Sequence, residues 1–180
     1  MGWRVALCVL GNAHGVARLS FLMRTIIIGL GNPILGDDGV GWKVAEEVKT
    51  RLDSRVASLA KEESIDVEFL SLGGISLMEH LIGYERAILI DAIASDLEPG
   101  SIITSSLREM PDVSGFHTAS AHDTSLQNAL KLGKAMSAEL PEQVTVVGIA
   151  TDHVYDFSEE LSRPVSQAVL KATQIVIDLL

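Results

Sequence analysis

Three places in the chain hold residue types that could do hydrolytic or metal chemistry. Asp37 and Asp38 stand side by side in a glycine-rich stretch, "GLGNPILGDDGVG", at residues 29–41. Asp91 closes the apolar run "AILID", and His122 lies in "SAHDTSL". Two carboxylates and an imidazole are hard to borderline donors. They suit a divalent ion such as nickel, zinc or manganese, and they lack the thiolates of a structural zinc site. An ion held there could polarise a carbonyl or activate water. Plainer duties are open to each residue as well. Asp37 or Asp38 can cap the helix that follows and suit its dipole. Asp91 needs a partner, because an unpaired charge in an apolar run is costly, and backbone donors or an ion pair would serve as well as a metal. His122 can open a helix and do nothing else. His117 is a rival ligand, and His153, in "TDHVYDF", is a possible contact residue. His80 falls in a short amphipathic segment and reads as structural or solvated.

Other chemistries find little support. There is no GxSxG elbow, and Ser71, Ser76, Ser120 and Ser125 carry no sign of activation. Gly29, Gly31 and Gly36 do not form GxGxxG, so a nicotinamide or flavin role is not expected. A single cysteine, Cys8, forbids an intramolecular disulfide and fits a reducing, cytoplasmic setting. The net charge of −10 argues against a general polyanion binder, so no nucleic acid partner is expected. No stretch approaches a membrane span, and the last apolar segment is interrupted by Lys171, Gln174 and Asp178. With 47% apolar and 21% charged residues, the 180-residue chain suits one globular domain with a sizeable core. Residues 1–22 fit neither a signal peptide nor a myristoylation site, and "MRTIIIGLGNP" from Met23 has the look of a natural start. The expected domain is therefore residues 23–180, with 1–22 an extension.

The candidates need elements to hold them. Residues 25–30 are continuously apolar and predict a buried strand. Val40, Val44, Val48 and Leu52 recur every fourth residue and predict an amphipathic helix, which "ASLAKEES" could extend. Strands are expected at 67–72, 86–93, 100–107 (a candidate edge) and 143–150. Helices are expected at 75–84, from His122 onward, and after Ser162, with Pro164 tolerated in the first turn. The buried face of the last helix would be Val165, Val169, Ala172, Val176 and Leu179. Apolar strands alternating with helices predict an α/β fold: a single three-layer domain, a mostly parallel twisted sheet with helices on both faces. In such sheets ligands bind beyond the carboxyl ends of the strands. Asp37, Asp38 and Asp91 would share that rim, and a loop ending at His122 could hang over it.

Taken in order, "GLGNPILGDDGVG", "ILIDAI", "SAHDTSLQNAL", "VTVVGIATDHV" and "FSEELSRPVSQAV" resemble the nickel–iron hydrogenase maturation endopeptidases. The likeness runs from Met23 to the end of the chain. It implies that Asp38, Asp91 and His122 form a metal site that serves catalysis; the family often has glutamate where this chain has Asp38. It further implies a partner, the precursor of a hydrogenase large subunit already loaded with nickel. The reaction would be removal of a C-terminal extension by peptide hydrolysis, by a protein acting as a monomer. Nickel would arrive with the substrate, and zinc or cadmium could occupy the same site. The glycines of the first loop would then let the backbone turn beside a metal site, not cradle a phosphate. Two other readings compete. Peptidyl-tRNA hydrolases also run from a strand into "GLGNP", but this chain continues "ILGDDGVG". A non-catalytic module that binds a loaded hydrogenase subunit and releases it uncut is the second.

Overall fold

The computed structural model describes residues 23–55, 63–110, 125–152 and 157–180. Cys8, His117, His122 and His153 lie outside these residues, as do the extension 1–22 and most of "ASLAKEES".

Strand β1, Met23–Leu30, runs through the centre of the core, and Ile26, Ile27 and Ile28 are fully buried. Each such side chain contributes about 1.5–3 kcal/mol by leaving water. A 3₁₀ turn at Gly36–Gly39 leads into helix α1, Val40–Arg55. There follow β2 (Glu63–Leu70), α2 (Gly74–His80), β3 (Arg86–Ala94), β4 (Ile102–Ser106), α3 (Leu126–Ala135), β5 (Gln143–Thr151) and α4 (Arg163–Asp178). The five strands form one sheet in the order β2-β1-β3-β5-β4. β1, β2, β3 and β5 are parallel, and β4 runs antiparallel along the β5 edge. Alternation along the strands divides the core in two. Ile27, Ile88, Ile90, Val147 and Ile149 pack with α1 and α4, while Ile26, Ile28, Leu89 and Val146 pack with α2 and α3. This is the expected three-layer α/β domain, with β4 at the edge.

Helix α1 lies directly on strand backbone at its start. A Cβ built on Gly29 would stand 2.4 Å from the Gly41 carbonyl oxygen. One on Gly41 would stand 2.2 Å from the Leu30 oxygen and 2.4 Å from that of Ile90. No side chain fits between helix and sheet here.

Several expected boundaries move. β2 spans Glu63–Leu70, not 67–72, because its polar first half pairs in register with β1 from Met23↔Glu63 onward. α2 stops at His80, short of 84. α3 begins at Leu126, not at His122: Ser125 is its N-cap, and the Ser125 side chain accepts the Asn128 N–H. Ser162 is the N-cap of α4, with Pro164 in the first turn, but its hydroxyl makes no capping bond. The buried face of α4 is Val165, Ala168, Ala172, Thr173, Val176 and Ile177; Val169 and Leu179 only flank it.

Candidate active site

The chain leaves β1 for β2 on one side and later returns to place β3 on the other. The crevice between the β1 and β3 ends is therefore the switch point of the sheet, where open α/β folds bind ligands. The β1–β3 ladder runs from Thr25↔Arg86 to Gly29↔Ile90 and stops, whereas the β3–β5 ladder continues to Ala94↔Thr151. Asp91 closes the apolar stretch inside β3, which ends at Ala94, one residue past the expected 86–93. It is the first β3 residue past the ladder with β1, held on its other side by pairing with Gly148. The strand outlasts the apolar run because β5 still pairs with it.

The 3₁₀ turn that carries Asp37 and Asp38 packs against β3. Its path depends on Gly31, at φ +117, where a Cβ would fall 1.8 Å from the Asp38 carbonyl oxygen. Only glycine fits that conformation and that approach. One carboxylate oxygen of Asp38, Oδ2, accepts the Asn32 N–H at 2.5 Å. Across the loop, the Ser71 hydroxyl donates to the Gly31 carbonyl at 2.7 Å, a bracing role and not that of a nucleophile.

Asp37 does something the sequence did not reveal. Its Oδ1 accepts the Ser162 N–H at 2.6 Å, and its Oδ2 accepts the Thr151 hydroxyl at 3.1 Å. The expected aspartate cap exists, but it serves α4 and not the adjacent α1. The carboxylate lies at the amino end of α4, where the helix dipole favours negative charge, and it ties the first loop to the end of β5. No local signal could have found this bond, since its partners stand 114 and 125 residues away.

Asp37, Asp38 and Asp91 are 1%, 6% and 1% exposed, and they are the buried carboxylates among the described residues. All three lie at one end of the sheet. Asp37 is held by Ser162 and Thr151; the other two acids at this end are Asp38, in the turn after β1, and Asp91, in β3. Oxygen donors of this kind fit a hard or borderline divalent ion and can also handle protons. Among the described residues no three His, Cys, Asp or Glu side chains group closely enough to hold a metal ion. The third expected ligand, His122, lies outside them. His80 is bound elsewhere, its Nδ1 standing 2.8 Å from Glu68 Oε2 in a half-exposed pair, as its plainer reading implied. Among the described residues no helix is long and apolar enough to cross a membrane.

The family model for the HycI hydrogenase maturation proteases matches residues 56–179, which includes Asp91 and begins after the first loop. The hydrogenase expression/formation protein HupD of Rhizobium leguminosarum is 28% identical over 159 residues, covering 87% of this chain and 74% of that protein. Among solved structures, the hydrogenase maturation protease HybD from Thermococcus kodakarensis is 28% identical with a TM-score of 0.59, covering 87% of this chain and 99% of that one. The hydrogenase maturating endopeptidase HybD from E. coli shares the fold, with a TM-score of 0.66 at 22% identity over 87% of this chain and 91% of that one. The chain belongs to the hydrogenase maturation protease family and is, with that family, a peptidase.

Proposed function

We propose that the protein removes a C-terminal extension from a nickel-loaded hydrogenase large-subunit precursor, and that Asp38, Asp91 and His122 address the metal the precursor carries. The observation that carries this reading is the burial of two acids, Asp38 in the turn after β1 and Asp91 in β3, at the switch point of the sheet. Buried oxygen donors at this end of the sheet suit a divalent ion, and an ion carried by the precursor would let the protease tell a filled precursor from an empty one. Nickel is then part of the substrate, and its coordination by the two carboxylates and the imidazole positions the scissile peptide bond.

The chemistry of the cut is addition of water across that bond, giving a new carboxylate on the mature subunit and a free amine on the released peptide. Carboxylates at this site can orient the attacking water and take its proton, and a divalent ion beside the carbonyl stabilises the charge that develops on its oxygen. Asp37 binds neither metal nor substrate in this scheme; it holds the loop that presents Asp38. The protein works as a cytoplasmic monomer, with neither nucleic acid nor membrane as a partner.

The test is to mix the purified protein with nickel-loaded and nickel-free precursor and record intact masses. Loss of a C-terminal peptide from the loaded form alone is the expected result. Equal cutting of both forms would remove the metal check. Binding of the loaded precursor without any cut would remove the peptidase role.

A further inference from the structure

The segments that leave the parallel strands share an unusual feature. Each is followed, within six residues, by an exposed large apolar side chain: Ile34 after β1, Leu72 after β2, Leu97 after β3 and Phe157 after β5. The buried acids thus sit at an end of the sheet whose rim carries apolar side chains facing water. Ile34 is 49% exposed and Phe157 87%. Exposed leucines scattered singly are ordinary, but grouped apolar side chains beside a site mark a binding surface.

Two of them are held together by backbone. Leu35 and Ser158 form an isolated parallel bridge: the Ser158 N–H donates to the Ile34 carbonyl at 3.1 Å, and the Gly36 N–H to the Ser158 carbonyl at 2.6 Å. Ile34 and Phe157 therefore occupy adjoining positions, each one residue before the bridge. Four residues further along, Ser162 is bonded to Asp37 at 2.6 Å. The strap 157–162 is tied at both ends to the loop 34–38 that presents Asp38. The exposed phenylalanine thus stands at the start of a strap whose Ser158 and Ser162 make three bonds to the loop of a candidate catalytic acid.

We propose that Ile34 and Phe157 form an apolar lip that receives an apolar side chain of the substrate polypeptide next to the scissile bond, and so help to set specificity. The proposal rests on the peptidase reading above, and the lip stands on the same loop, 34–38, as Asp38. Its occupant is an extended segment of the precursor: a chain cut at Asp38 and Asp91 must cross this rim, and the side chains offered there are apolar.

The experiment compares wild type with Ile34→Ser/Phe157→Ser, with Phe157→Leu, and with a control, Leu132→Ser/Met136→Ser, that changes an exposed apolar pair at the far end of α3. Each is assayed for binding of the loaded precursor and for its cleavage. All the altered side chains are exposed, so the fold should survive, and circular dichroism checks that it does. For the lip variant, Kd and KM should rise about tenfold or more with kcat little changed, a size typical of one lost apolar contact. Phe157→Leu should recover most of the loss, and the control should match wild type. Unchanged binding and KM in the lip variant overturns the proposal. So does a lip variant whose only change is loss of self-association by sedimentation, which would make the lip a contact between copies of this chain. Wild type that binds the precursor through the lip without cutting it would uphold the lip and overturn the peptidase reading, so the two failures are separable.

Discussion

The two ends of the sheet handle charge in opposite ways. At the amino end the side chains of Arg24 and Asp66 are about half exposed and bind one another. Arg24 lies 3.8 Å from Asp66, its backbone N–H donates to Glu85 at 2.6 Å, and its guanidinium sits 4.5 Å from the centre of the Tyr84 ring. Tyr84 in turn donates to Asp66 at 2.8 Å, and Arg86 donates to the Leu179 carbonyl. At the carboxyl end the acids are buried and the exposed side chains on the rim include apolar ones. Solvated pairs of the first kind are typically worth about 0–1 kcal/mol. Burying carboxylates, as at the second end, opposes folding unless donors offset the lost hydration. A chain selected for stability alone has no need of the second arrangement, so chemistry explains it better than packing.

The sharpest way to break this contrast is Asp91→Asn. Precursor cleavage should fall by about 10²-fold or more, with the circular dichroism spectrum retained. Cleavage at the wild-type rate by the folded variant would remove Asp91 from the site. Asp37→Ala comes next and tests the division of labour in the first loop. It leaves the Ser162 N–H and the Thr151 hydroxyl without their acceptor, at about 2–3 kcal/mol of unfolding free energy in a urea titration. A loss well below 1 kcal/mol would mean that Asp37 does not hold the loop.

The amino end should respond more weakly. Burial, then the hydrogen bond to Asp66, pushes the Tyr84 phenol from 10.0 up to about 12. Its folded form holds the proton more tightly, so the stability it contributes is whole below pH 10.0 and lost as the pH rises through about 12. Unfolding of Tyr84→Phe followed between those values should lack this alkaline decline, while cleavage at neutral pH stays unchanged. Arg24→Ala should produce the smallest effect, below about 1 kcal/mol and with no change in cleavage. A large loss of activity from either change would mean that the two ends are coupled.

The same contrast explains what the sequence revealed. Buried strands such as 25–30 and 143–150 announce themselves because both faces are covered and most residues are apolar. β2 hides its start because it is the edge partner of β1, half-buried from Ser64 to Leu70, and tolerates Ser64 and Asp66. Asp38 and Asp91 could be singled out locally, as an acid after a glycine-rich turn and an acid in an apolar run. The bond from Asp37 to α4 could not, because the distance it spans exists only once the sheet has formed. The pattern from His122 onward predicts a helix that in the fold opens at Ser125 and Leu126, because helix ends are set by caps within a residue or two that periodicity does not resolve.

The early end of the β1–β3 ladder carries a last implication. Asp91 stands clear of β1 because pairing stops at Gly29↔Ile90, while β5 accompanies β3 to Ala94. The notch is therefore a difference in strand length, and its depth can be reset by insertion. Lengthening β1 before Gly31 would zip the two strands past Asp91 and seal the crevice without altering any acid. Among relatives of this fold, a change of spacing between the end of the first strand and its glycine turn would rewrite the site as surely as replacing an aspartate.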